Sequence, residues 1–155
     1  MIGSEADITK EVSLAAPAAE LVLAFDAAAG SKDFGVALSN AQGQKTLIGY
    51  EPAGKRFYVD RTESGANAFS KDFGGRHYAP RTSRHPSVSL HLVIGVASVK
   101  LFADDGEVVM TEIFFPETPY TRAKLFSREG DVKVTSGRFT PLKPVWKSSP
   151  KVAAN

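Results

Sequence analysis

Cutting a glycosidic bond takes two carboxyl groups facing each other across a pocket, so the acidic residues come first. Asp60, Asp104, Asp105, Glu107 and Glu112 fall on strand-like or turn-like segments and could in principle supply a pair. Asp104 and Asp105 stand together in an Asp-Asp-Gly turn, where Asp is favoured for hydrogen bonding to nearby backbone, so a structural role is expected there. The histidines His77, His85 and His91 lack HExxH spacing and acidic companions, and no metal site is expected. Cysteine is absent, which removes thiol catalysis, disulfides and thiolate metal sites. A Ser–His–Asp triad stays open on residue counts alone, but there is no Gly-x-Ser-x-Gly elbow. No GxGxxG or P-loop motif is present. Phe34-Gly35 and Gly74-Gly75 are isolated and carry no phosphate argument, so no cofactor is implied.

Polar chemistry concentrates in residues 62–86, TESGANAFSKDFGGRHYAPRTSRHP. Lys71, Arg76, Arg81 and Arg84 stand there against Glu63 and Asp72, with His77, Tyr78 and His85 among them. The stretch has little periodicity, and long irregular segments in compact domains are often functional. It also fits a solvated crossover, with Phe69 and Phe73 plugging a sandwich edge.

Short apolar runs must position these groups. ELVLAF (20–25), FGVALS (34–39), TLIGYE (46–51), RFYVDR (56–61), SVSLHLVI (87–94), VASVKLFA (96–103), EVVMTEIFF (107–115), AKLFS (123–127), DVKVTS (131–136) and RFTPLKPVW (138–146) all read as strands. Turn chemistry separates them at Asn40–Gly43, Pro52–Gly54, Asp104–Gly106 and Glu129–Asp131, each with a Gly placed for positive φ. Alanine favours a helix over 14–29, but Pro17 interrupts it and LVLAF reads as a buried strand. The pattern predicts an all-β, two-sheet antiparallel β-sandwich. Residues 1–11 read as a lead-in, 12–147 as the sandwich and 148–155 as a tail.

The chain has 155 residues, long enough for one substantial core. With 19 basic against 17 acidic residues there is no concentrated basic stripe, so nucleic acid is not an expected partner. No run of 18 apolar residues offers a helical membrane span. The first residues lack a basic region followed by an apolar one, so no signal peptide is expected in this chain.

FGVALSNAQGQKTLIGYEPAGKRFYVDRTESG (34–65), followed by SVKLFADDGEVVMTEIFFP (98–116) and a last strand ending LKPVW, resembles the C-terminal β-sandwich of glycoside hydrolase family 32, the invertases, levanases and inulinases. The resemblance covers about residues 12–147 and implies a jelly-roll or concanavalin-like sandwich, related to fructan-binding modules. It implies an accessory, non-catalytic module whose parent would be an extracellular or cell-surface β-fructosidase. The family's catalytic propeller motifs are absent from these residues. One local departure stands at Gly95–Lys100, where the family commonly has Asp-Arg-Ser-Ser-Val-Glu; Gly95 and Lys100 replace the two acids, and Gly95 is expected to mark a bulge or bend.

Two functions follow from the resemblance. The first is binding of fructan (levan or inulin) or terminal fructose, through Asp60, Arg61, Glu51, Arg76, Tyr78 and Glu112. Carboxylates and Arg suit vicinal hydroxyls, and an aromatic ring covers a C–H face. Structural alternatives stand beside these: Arg61 and Glu112 pairing across the sandwich edge, Asp60 capping the Thr62–Gly65 turn, and Tyr58 and Trp146 lying in the core or on an interdomain face. The second function is structural, a sandwich that docks on a catalytic propeller in cis or mediates dimerisation through Phe114, Phe115, Tyr120 and Trp146.

Overall fold

In a strand, successive side chains point to opposite faces, so alternation decides what is buried. Ser87–Gly95 shows this most clearly: Val88, Leu90, Leu92 and Ile94 are buried, and the residues between them are not. The computed structural model describes residues 5–10, 18–27, 32–65, 75–128 and 132–142. They form eleven strands: β1 (Glu5–Asp7), β2 (Ala18–Ala27), β3 (Phe34–Ser39), β4 (Lys45–Glu51), β5 (Arg56–Asp60), β6 (Arg76–Pro80), β7 (Ser87–Gly95), β8 (Ser98–Ala103), β9 (Val108–Ile113), β10 (Arg122–Ser127) and β11 (Val132–Leu142). No helix occurs among the described residues.

The strands build two antiparallel sheets. One has six strands in the order β1-β10-β3-β4-β5-β6, the other five in the order β11-β2-β7-β8-β9. The core lies between them. Phe25 of β2 meets Phe34 of β3 with ring centroids 5.0 Å apart, and Tyr50 and Phe57 continue the aromatic row along the six-stranded sheet. Leu90, Leu92, Val99 and Leu101 supply the facing layer. Each such side chain contributes about 1.5–3 kcal/mol when taken out of water.

Several sequence expectations change in detail. The stretch read as irregular contains β6, which pairs with β5 so that Tyr78 lies opposite Tyr58 and Arg76 opposite Asp60. The two runs read as separate strands after 131 form one strand, with a register shift between Val134 and Ser136. Pro141 is tolerated there because β11 is an edge strand. Gly95 ends β7 at a hairpin rather than bending a continuing strand. Gly43 and Gly106 adopt positive φ, but in the Pro52–Lys55 turn the positive φ falls on Lys55 and not on Gly54. Phe69, Phe73, Gly130, Trp146 and the tail lie outside the described residues.

Two glycines have a packing role. Gly35 and Gly49 face each other across β3 and β4, and Gly49 in turn faces Tyr58 of β5. A Cβ on Gly49 would stand 2.8 Å from the Tyr58 ring and hydroxyl and 2.9 Å from the Phe34 carbonyl oxygen. The missing side chain is the space that the tyrosine ring occupies. Gly49→Ala, ordinarily neutral or favourable in a strand, is expected to lower unfolding stability by about 1–3 kcal/mol through overpacking. Urea unfolding of the two proteins checks this.

Candidate functional site

The outer face of the six-stranded sheet carries the candidate site. Strand register places Glu5 and Asp7 of β1, Lys124 and Phe126 of β10, Ala37 of β3, Lys45, Leu47 and Glu51 of β4, Arg56, Tyr58 and Asp60 of β5, and Arg76 and Tyr78 of β6 on this face. Leu47, Tyr58 and Phe126 form a second apolar cluster here, with Ala37 packed against it, on the opposite side of the sheet from the main core.

One end of the face is closed by stacked charges. The Arg76 guanidinium lies 4.0 Å from the centre of the Tyr58 ring. Its Nε donates to Asp60 Oδ2 and its Nη1 to Asp33 Oδ2, each at 3.2 Å. Arg56 lies 3.6 Å over the Tyr78 ring and donates to Glu51 Oε1 at 2.9 Å. Burial raises the Asp60 pKa, but hydrogen bonds from Thr62 and the Arg76 guanidinium outweigh it and hold the carboxyl below its usual value. Burial, then the nearby Asp33 carboxylate, pushes the Tyr58 hydroxyl well above its ordinary pKa. That hydroxyl makes no hydrogen bond of good geometry among the described residues.

The rest of the face is hollow. A depression of about 430 Å³ is lined by Ala37, Leu47 and Phe126 on its floor and by Glu5, Lys45, Lys124 and Arg128 on its rim. A second depression of about 220 Å³ shares Lys45, Leu47 and Arg128 and reaches Asp60, Thr62 and Glu63. Two of the three rim cations are paired with anions: Lys124 Nζ lies 3.6 Å from Glu5, and Lys45 Nζ 3.3 Å from Glu63. An apolar floor under a rim of hydroxyl-seeking groups suits a neutral, hydroxyl-rich ligand.

The six nominated residues therefore divide. Asp60, Arg76, Glu51 and Tyr78 share the outer face, and Asp60 lines the second depression. Arg61 and Glu112 lie elsewhere, at the edge where β5 and β6 approach β9. Arg61 is 4% exposed, donates to the Ile113 carbonyl at 2.7 Å and lies 3.6 Å from Glu112. Glu112 also pairs with His77 Nδ1 at 2.7 Å. This is the edge pairing foreseen as the structural alternative. The Asp60 carboxylate also accepts from the Thr62 amide at 2.9 Å, the foreseen turn cap. Asp104 is structural as expected, but its main partner is distant in sequence: Arg81 Nε donates to it at 2.7 Å. Phe114 and Tyr120 are core residues, while Phe115 is exposed. No cluster of three metal-ligating side chains occurs among the described residues.

Sequence reasoning missed Glu5, Lys45, Leu47, Lys124, Phe126 and Arg128. One signal was available. TLIGY is apolar at consecutive positions, as in a strand covered on both faces.

Residues 3–141 match the family model described as glycosyl hydrolases family 32 C terminal. A levanase of Bacillus sp. (strain L7) is 31% identical over 141 residues, which is 91% of this chain and 15% of that protein. A levanase of Bacillus subtilis (strain 168) is 33% identical over 133 residues, 84% of this chain and 20% of that protein. The crystal structure of exo-inulinase from Aspergillus awamori superposes with a TM-score of 0.78 at 25% identity, over 93% of this chain and 28% of that one. The chain thus spans about a fifth or less of the levanases' length.

The edge clamp yields a test that separates structural from ligand-facing charges. Glu112→Ala removes a carboxylate 3.6 Å from the buried Arg61 guanidinium, at an expected cost of about 3–5 kcal/mol. The midpoint of chemical denaturation checks it. A change under about 1 kcal/mol, the size of an exposed pair, would show that the clamp is not structural.

Proposed function

We propose a function from the premise that this chain belongs to the family of glycosyl hydrolase family 32 C-terminal domains: it is a non-catalytic accessory module that holds fructan on the outer face of its six-stranded sheet. The match lies in the C-terminal domain, not in the catalytic propeller. The parent protein is then a secreted fructan hydrolase with that propeller in cis, a reading supported by relatives named levanase and extracellular exo-inulinase.

The observation that carries the sugar-binding reading is the depression floored by Leu47 and Phe126 and rimmed by Lys45, Lys124 and Arg128. A furanose ring has a C–H surface for the floor and vicinal hydroxyls for the rim. Cations donate to those hydroxyls, and Asp60 and Glu63 accept from them. Arg76 fixes Asp60 and is a positioning residue in this reading. Glu51 and Tyr78 extend the face beyond it, while Arg61 and Glu112 clamp the sandwich edge. Tethering such a module to an enzyme raises the local concentration of substrate without new chemistry.

A second reading has its own observation. Val96, Val109, Ile113 and Phe115 are exposed. Val96, Ile113 and Phe115 come close together, because Ser98 registers with Ile113 and the Phe114 amide donates to the Ala97 carbonyl. This apolar edge fits docking against a catalytic domain.

Calorimetric titration with levan, inulin and fructose tests the first reading. Binding in the millimolar to micromolar range, roughly −4 to −8 kcal/mol, is expected. Arg128→Ala should remove one charge-assisted hydrogen bond, about 1.5–3 kcal/mol, and so weaken binding about tenfold or more. Absence of heat from a folded sample with all three sugars overturns the reading. For docking, amide exchange along Val108–Ile113 should slow when the module is joined to a catalytic domain of the family; unchanged exchange there rules docking at this edge out.

A further inference from the structure

We propose that the hollow face takes an internal stretch of a fructan chain, laid across the strands, rather than a chain end; this rests on the fructan-binding reading above. The two depressions share Lys45, Leu47 and Arg128, so they form one continuous groove. It runs from Glu5 on β1, across β10, β3 and β4, to Asp60 on β5. Four inter-strand intervals of about 4.8 Å give it a length of roughly 19 Å. The larger depression alone is in the size class that holds drug-sized ligands, well above a single furanose.

The groove carries the same chemistry twice. At one end Lys124 and Glu5 form an ion pair beside Phe126, and Glu5 lies directly opposite Phe126 in the register. At the other, Lys45 and Glu63 form an ion pair beside Leu47, two residues along the same face of β4. Each set offers a donor, an acceptor and an apolar floor, which is what one sugar unit asks of a subsite. The rim is charge-balanced, so it suits a neutral polymer and not a polyanion.

The Arg76 stack closes the face on its β6 side, but among the described residues both ends of the groove are marked by exposed side chains: β1 is an edge strand whose Glu5 is 65% exposed, and Glu63 at the other end is 61% exposed. A site for a terminal residue would close around it and bury most of its surface. Here the most exposed groups stand where such a wall would be. Both ion pairs are exposed and worth about 0–1 kcal/mol, so exchanging a charged partner for a sugar hydroxyl costs little.

Calorimetry of the whole chain with fructose, a ladder of linear fructo-oligosaccharides and inulin of defined length tests the proposal. Affinity should rise about tenfold or more from fructose to an oligosaccharide long enough to span both subsites, then level off. Long inulin should bind more than one module per chain. Lys45→Ala and Lys124→Ala, both on exposed side chains, should each bring the oligosaccharide's affinity down toward that of fructose. Saturation at one module per chain with equal affinity for fructose and long oligosaccharides overturns the internal-chain proposal and leaves fructan binding standing. Absence of binding to every sugar overturns both.

Discussion

The arrangement of the outer face follows from one stacked contact, the Tyr58 ring held between a glycine and a guanidinium. Gly49 has no side chain to lift the ring off the sheet, and Arg76 covers its other side at 4.0 Å. Two carboxylates, Asp33 and Asp60, hold that guanidinium, so its position does not depend on the aromatic contact alone. Arg76 is also the first residue of β6, and the same contact therefore ties the sixth strand to the fifth. The cost is a buried hydroxyl left without a well-aligned partner. The consequence is that one half of the face is filled and the other half, beyond Leu47 and Phe126, is hollow.

The sandwich was legible because most strands obey the period of two with aliphatic residues on the inner positions. β7 and β8 do so almost without exception. The elements that escaped have no such residues. RHYAP offers an arginine, a histidine and a half-exposed tyrosine, and it is a strand because β5 supplies its hydrogen bonds. Glu5–Asp7 is three residues long and exists by pairing with β10. Propensity cannot report a strand whose stability comes from its neighbour. The turn at Pro52–Lys55 shows the same limit on a smaller scale, since the residue with positive φ is a lysine and the adjacent glycine is not.

The site was less legible for a geometric reason. Asp60 and Arg61 are adjacent in a recognisable motif, and sequence reasoning takes them together. The pleat separates them: Asp60 faces the outer surface with Arg76, and Arg61 turns to the sandwich edge with Glu112. The groove draws Glu5, Lys45, Leu47, Lys124 and Phe126 from three strands that are far apart in the chain. No spacing along the sequence encodes that set. Only the strand order β1-β10-β3-β4 brings it together.

Burial divides the charge pairs of this sandwich into two kinds. Arg61–Glu112 and Arg81–Asp104 are largely removed from water, and each joins segments distant in sequence. Losing one partner of such a pair strands a charge in a poorly solvated place, so these pairs are fixed features of the frame. Lys45–Glu63 and Lys124–Glu5 use the same functional groups in water, where solvent screens them and either partner can be exchanged. A long lysine side chain gives up as much as about 2 kcal/mol of rotamer freedom when a ligand fixes it. One exposed subsite by itself would therefore hold a sugar weakly. Repeating it along a polymer turns the second contact into an intramolecular event. If the face binds fructan as proposed, a rigid frame with an exchangeable rim would favour a long, neutral chain over a single sugar.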